Sequence, residues 1–274
     1  MGFSIFYSWQ TDAPDKCNRR FIREALDAAV AGVIQDASVI DSPRVDSGME
    51  GEAGSPEVAS VMFRKIDECD LFLGDVTLVG NIAPLQAGKE AKPTANPNVS
   101  MEMGYAAARL GWGRVICVMN EFYGKAAELP FDMRNRRFPI DYAMDPGAME
   151  NQEVVKKDLT KWIRKAIEAT VTNEHEGVND ALRRLDINCL NLCSVYRRAP
   201  FFRDLGQDQV NREALRDVLD VQGFRSAIIR LLDLRLITTD VQETRYAYHW
   251  SHRGNLLLKE LQKRQQLQAV PDAV

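Results

Sequence analysis

Short apolar runs alternate with amphipathic stretches through about the first 170 residues of this chain, a pattern that a parallel β-sheet covered by helices satisfies. FSIFYS, Phe3–Ser8, reads as the first strand. Behind Pro14 the apolar positions Phe21, Ile22, Ala25, Leu26, Ala29, Val30 and Val33 recur at helical spacing. Ser55 followed by Pro56 predicts the cap and first residue of a second helix, and LFLGDVT, Leu71–Thr77, follows as a short buried strand. A loop rich in Gly, Pro, Ala and Asn then leads to a helix beginning at Asn96–Pro97. RVICVMN, Arg114–Asn120, is a third clear strand, FPIDY a candidate fourth, and Gln152–Thr170 an amphipathic helix that closes the unit.

A boundary is expected near TNEHEG, Thr172–Gly177, dividing the chain into residues 1–172 and 173–274. Beyond it the pattern changes to helices, among them Arg212–Asp220 and Gly223–Leu234. LITTD, a turn, RYAYHW and a last amphipathic helix through GNLLLKELQ follow. Helix, helix, two-stranded ribbon, helix is the order of a winged-helix module, so the smaller C-terminal domain is expected to be mainly helical and winged-helix-like. Its second helix offers Arg225 and Arg230, with Arg235 just beyond and Asp233 among them, and the wing offers only Arg245. So sparse a basic face neutralises few phosphates, which favours a protein-interaction or regulatory role over DNA binding.

Charge and composition remove other classes. With 35 Lys+Arg against 39 Asp+Glu the net charge is −4, which provides no general attraction to nucleic acid or an acidic membrane. The start has no secretory-leader pattern and no uncharged run of about 18 residues occurs, so a cytoplasmic protein without membrane association is expected. Cys17, Cys69, Cys117, Cys189 and Cys193 lack CxxC spacing and are expected to be free thiols.

The stretch NPNVSMEMGYAAARLG, Asn96–Gly111, carries one acidic side chain in a helix of small and apolar residues. Asn96 caps the helix and Pro97 suits its first position, so Glu102 falls in the second turn. Asn98, Glu102 and Tyr105 or Ala106 share one face, and Val99, Met103, Ala107 and Leu110 form the apolar side. Solvent exposure with slight help from the helix dipole would explain Glu102 without any function. In open α/β sheets, however, ligands bind beyond the carboxyl ends of the strands, where the following helices begin. Ser8, Trp9 and Gln10 after the first strand and Asp75 after LFLG point to that same edge. Glu102, Asp75, Ser8, Trp9 and Gln10 are therefore expected to converge on one site.

These residues also carry a resemblance. NPNVSMEMGYA resembles the NPNV-x-x-E-x-G-Y-A motif of bacterial TIR-like nucleotide-binding proteins, and MEMGYA resembles the M-E-L-G-Y-A motif of nucleoside 2-deoxyribosyltransferases. IFYSWQTD and LFLGDVT look closer to the TIR-like group. The resemblance covers roughly residues 3–145 and implies a flavodoxin-like sheet and an N-glycosidase that uses Glu102. It further implies a bacterial anti-phage defence effector that works as a homo-oligomer or with a defence-system partner.

Breaking an N-glycosidic bond passes through an oxocarbenium-like centre that a carboxylate stabilises by charge or traps covalently. A neutral base departs as an anion unless a general acid protonates it, whereas the nicotinamide of NAD is already cationic and leaves neutral. His175, His249 and His252 all lie outside the α/β part, which favours NAD, as substrate rather than cofactor. Trp9 either stacks on a nicotinamide or adenine ring or closes the core. Arg44 and Asp46 in SPRVDSGMEG are candidates for ribose or phosphate contacts, and Asn98 for holding Glu102 or a ribose hydroxyl. No P-loop, no G-x-G-x-x-G after a strand, no nucleophile elbow and no metal-spaced His/Cys cluster occurs. A nucleoside deoxyribosyltransferase or nucleotide hydrolase remains an enzymatic alternative. A non-catalytic nucleotide sensor acting through the winged helix on DNA or protein is the other.

Overall fold

Five parallel strands form the main sheet in the computed structural model, which describes residues 3–35, 43–48, 57–86, 88–134, 139–196, 201–203, 220–242 and 245–264. The chain divides into two compact units, Met1–Val171 and Thr172–Val274. In the first, the strands are β1 (Ser4–Ser8), β2 (Arg44–Asp46), β3 (Leu71–Asp75), β4 (Leu78–Ile82), β5 (Lys92–Ala95), β6 (Val115–Asn120) and β7 (Ile140–Tyr142). The helices are α1 (Arg19–Gln35), α2 (Val58–Glu68), α3 (Pro97–Leu110), α4 (Phe131–Arg134) and, as far as Val171, α5 (Gln152–Arg184). The main sheet runs β2-β1-β3-β6-β7 with every neighbour parallel. That order is compatible with a flavodoxin-like core, and it reverses beside β1, so the carboxyl ends of β1 and β3 flank the crevice where such sheets take ligands.

Strand alternation sends side chains to two separate cores. Ile5, Tyr7, Leu71, Leu73 and Val118 pack against Phe21, Ile22 and Leu26 of α1 and Leu159, Ile163 and Ile167 of α5. On the other face Phe6, Phe72 and Met119 meet Val61, Met62 and Ile66 of α2 and Met103 and Ala106 of α3. In α3 it is Ala106, rather than the expected Ala107, that is fully buried. Gly74 allows α3 its close approach: a Cβ there would stand 2.9 Å from Cε1 of Phe72 and 3.6 Å from Cγ1 of Val99.

Some expectations change, and one falls outside the described residues. Ser55 and Pro56 lie outside the described residues, and α2 is described from Val58, with Glu57 preceding it and making no side-chain cap bond. The stretch expected as a loop after β3 contains the antiparallel hairpin β4–β5. The closing helix does not stop at Thr170 but continues to Arg184, because Val171, Glu174, Val178 and Ala181 extend its buried stripe at helical spacing without a proline to break it. Its residues through Val171 pack in the first unit's core, and Val178 and Ala181 belong to the second's.

The described residues of the second unit continue with α6 (Ile187–Tyr196), β8 (Phe201–Arg203), α7 (Val221–Asp233), β9 (Ile237–Gln242), β10 (Arg245–Trp250) and α8 (His252–Lys263). The sheet order is β8-β10-β9, antiparallel throughout. The expected ribbon thus gains a third strand, and α7 starts two residues before Gly223. The expected helix Arg212–Asp220 lies outside the described residues except for Asp220, whose Oδ1 accepts from the Gly223 amide at 2.6 Å and caps α7. Arg253 of α8 holds the buried Glu174 of α5 through two bonds of 2.9 and 3.0 Å. All five cysteines are free thiols. Among the described residues no helix is long and apolar enough to cross a membrane.

Candidate functional site

Helix α3 begins as its sequence dictates. Asn96 Oδ1 accepts from the amides of Asn98 and Val99 at 2.9 and 3.3 Å, and Pro97 occupies the first position. The same Asn96 donates Nδ2 to Asp12 Oδ2 at 2.6 Å, which ties the start of the helix to the loop after β1. Val99 and Met103 press onto the sheet and leave Glu102 half-buried beside the end of β1. There Ser8, itself only 2% exposed, donates Oγ to Glu102 Oε2 at 2.6 Å. Burial pushes the Glu102 carboxyl above the ordinary glutamate range, and the Ser8 bond pulls it part of the way back. Oε1 receives no hydrogen bond from the described residues. The outcome is a carboxylate withdrawn from water, oriented through one oxygen and uncommitted at the other.

Gln10 and Asp75, expected as substrate contacts, lie instead inside the protein. Asp75 is fully buried. Its Oδ2 accepts from Gln10 Nε2 at 3.0 Å and Asn18 Nδ2 at 3.2 Å, and its Oδ1 accepts from the Thr77 amide at 3.1 Å and Thr77 Oγ1 at 2.5 Å. Gln10 spends its other end on the Ala13 amide at 2.9 Å. Asn120 extends the network: its amide donates to Thr77 Oγ1, and its Nδ2 donates to Asn18 Oδ1 and to the carbonyls of Cys17 and Met144. Burial pushes the Asp75 carboxyl above the ordinary aspartate range, and the bonds from Thr77, Asn18 and Gln10 pull it part of the way back. The physical reason for the misplacement is phase, since Asp75 follows Leu71 and Leu73 onto the face covered by α1 and α5, opposite to the face that carries Ser8 and Phe6. The network fastens the loops behind β1, β3, β6 and β7 to one another and so supports the strand ends from beneath.

Trp9 borders an open cleft of about 870 Å³ on the α1 side of β1. One face of its indole carries the Arg19 guanidinium, 3.5 Å from the ring centroid, so that face does not receive a base. Gly48, at φ +53°, runs close beside the ring, where a Cβ would stand 3.7 Å from Cζ2. Asp46 is not free for a ribose because it pairs with the buried Lys65 of α2 at 2.8 Å. Arg44 is exposed on the same short strand. Asn98 is exposed one turn before Glu102 and donates its amide to the Asn96 cap.

The structure therefore joins Ser8 to Glu102 and sets Trp9 on the neighbouring face. Gln10, Asp75 and Asp46 hold the scaffold, and Asn98 stands at the entrance to α3. Sequence reasoning missed Asn18, Thr77 and Asn120 as network members and Arg19 as the partner of Trp9. The first three had a signal: Thr77 and Asn120 end apolar strand runs, and Asn18 immediately precedes a helix. No family model matches this chain, and no match appears among curated proteins.

Proposed function

We propose that the first unit is an N-glycosyl hydrolase that cleaves the nicotinamide–ribose bond of NAD, with Glu102 as its catalytic carboxylate. The observation that carries the reading is the Ser8–Glu102 pair, a half-buried carboxylate with one free oxygen at the switch point of a parallel sheet. The resemblance of NPNVSMEMGYA to glycosidase motifs supports the same assignment. In the reaction the C1′–N1 bond breaks, and its electron pair leaves with nicotinamide, which becomes neutral. The positive charge that appears on the ribose faces Glu102, whose shielding from water strengthens the attraction. Water adds at C1′ and releases one proton, so NAD and water yield ADP-ribose, nicotinamide and H⁺. This chemistry requires no acid on the leaving group, in keeping with a first unit that contains no histidine.

The second unit we read as a winged-helix-like module. Its support is the order of α6, β8, α7, β9, β10 and α8 around a three-stranded antiparallel sheet. The exposed face of α7 presents Val221 and Ile229 with Arg225 between them, a mixture that suits a protein partner better than a phosphate backbone.

Purified protein incubated with NAD should release nicotinamide and ADP-ribose, identified by mass, and Glu102→Gln should abolish that release while the fold persists. Full activity in Glu102→Gln, or base exchange between deoxynucleosides with no action on NAD, would overturn the assignment.

A further inference from the structure

Along α5 the positions that reach solvent recur at helical spacing. Val154, Asp158, Lys161, Trp162 and Lys165 follow one another at intervals that place them on one face, with Lys157 at its edge, and all six are exposed. The opposite face carries Leu159, Ile163 and Ile167 into the core. From Val154 to Lys165 the strip is about 17 Å long, and it belongs wholly to the first unit. Its two large apolar side chains stand well out of the protein, Val154 at 64% and Trp162 at 48% exposure.

The cations of this strip are the ones that α5 leaves uncompensated. Beside it, Lys156 pairs with Glu24 at 3.0 Å and Glu153 at 3.2 Å, and Arg164 pairs with Glu168 at 2.8 Å. Lys157, Lys161 and Lys165 have no carboxylate partner among the described residues. They follow one another at intervals of four, a like-charge spacing that weakens a helix rather than supporting it. Asp158 is the one free carboxylate set among them, so the strip is locally cationic on a chain whose net charge is −4. Two of the ammonium groups gather over the indole, Lys165 Nζ 5.2 Å and Lys161 Nζ 5.9 Å from the Trp162 ring centroid. Attraction to the ring holds both near one spot, and each keeps N–H donors to offer. The surface they form is an aromatic platform edged by two cations.

The chemistry of the strip selects among partners. A bilayer surface takes a continuous apolar stripe below its lysines, and here Val154 and Trp162 are separated by about two turns with Asp158 between them. A nucleic-acid backbone calls for more cations than these three, and Asp158 opposes it. Carboxylates on either side of an apolar side chain match every element, the carboxylates meeting the lysines and the apolar group covering the indole. We infer that this face of α5 docks an acidic segment of a partner protein, in which carboxylates flank one apolar side chain that seats on Trp162.

Fluorescence polarisation of the full chain with a labelled synthetic peptide of repeated Glu-Glu-Leu units tests it, against the same peptide with Gln for every Glu. The Glu peptide should bind with a Kd of roughly 10–100 μM and weaken at least about fivefold as salt rises from roughly 50 to 300 mM. The Gln peptide should bind at least about tenfold more weakly. Lys161→Glu combined with Lys165→Glu, and separately Trp162→Ala, should each weaken the Glu peptide about tenfold, and Trp162→Phe should keep part of the affinity because a ring face remains. Thermal melts of these variants should match the unaltered protein, since the side chains extend into solvent. Equal binding of the two peptides, binding of neither at millimolar concentration, or normal binding by the charge-reversed variant would overturn the inference. Phosphatidylserine vesicles or single-stranded DNA held through Lys161 and Lys165 in place of the peptide would overturn it in favour of a membrane or a nucleic acid. Self-association that the charge reversal abolishes would overturn it in favour of a second copy of this chain.

Discussion

Asp75→Asn exchanges one carboxylate oxygen for an NH2 group at the centre of the interior network and leaves side-chain size unchanged. All four groups around Asp75 donate to it: the Gln10 and Asn18 amides to Oδ2, and the Thr77 amide and hydroxyl to Oδ1. The Thr77 hydroxyl cannot simply reverse, because its oxygen already accepts from Asn18 Nδ2 and from the Asn120 amide, both at 2.9 Å. Whichever way the new amide is turned, two donors face an N–H pair. An unsatisfied buried donor costs about 1–3 kcal/mol, and relief of the buried charge returns part of that, so a net loss of about 3 kcal/mol is expected. With a urea m-value of about 2 kcal/mol/M the midpoint should fall by roughly 1.5 M. Tryptophan fluorescence reports it, since Trp9, Trp112 and Trp162 belong to the first unit and only Trp250 to the second. A midpoint that stays or rises would mean that Asp75 is protonated and itself a donor, and the reasoning from four converging donors would be wrong.

Glu102→Gln should lower kcat for NAD cleavage by at least about a hundredfold, and it should not lower urea resistance. Because burial raises the folded carboxyl above its unfolded value, the unaltered protein loses stability as pH rises from the ordinary glutamate range through the raised one. The Gln variant lacks that slope, and urea midpoints across pH 4–8 would reveal it. Ser8→Ala removes the bond that favours the charged carboxyl, so the acid limb of kcat/KM should move to higher pH, and an unmoved limb would sever Ser8 from Glu102. In the second unit, Arg253→Met should cost about 3–5 kcal/mol by removing both Arg253 bonds to the buried Glu174, and adding Glu174→Leu should recover most of it. Thermal melts of the single and double variants decide this.

Four of the five strands of the main sheet were legible because strands and helices have different periods, and each apolar run from Phe3–Ser8 to Arg114–Asn120 coincides with a strand in the parallel order, whereas β2, Arg44–Asp46, was read as part of a Gly-rich loop. The hairpin was not, since LVGNI and KPTA carry Gly80 and Pro93 where an alternating pattern would be needed. Of the site, Glu102 and Ser8 could be set on one rim in advance because a capped helix and a strand end each fix an orientation. Asp75 looked equivalent to Glu102 in composition, yet its phase with Leu71 and Leu73 turned it inward. Gln10 depended on a loop that folds back to Ala13, and Arg19 on the stacking of a helix start against the preceding loop. Neither relation leaves a periodic trace.

The division of labour at the end of β1 follows from the pleat. Ser8 continues the Phe6 face toward α3, and the next residue, Trp9, packs on the face of α1, so one strand end supplies both an anchor for the carboxylate and a seat for the arginine. The interior network holds both sides of that strand end in place: Asp75, Asn18, Gln10 and Thr77 lock the loop behind β1 to the end of β3, and the Asn96–Asp12 bond locks the same loop to α3. Gln10 and Asp75, which looked like substrate contacts in the sequence, thus fix the scaffold around the Ser8–Glu102 pair.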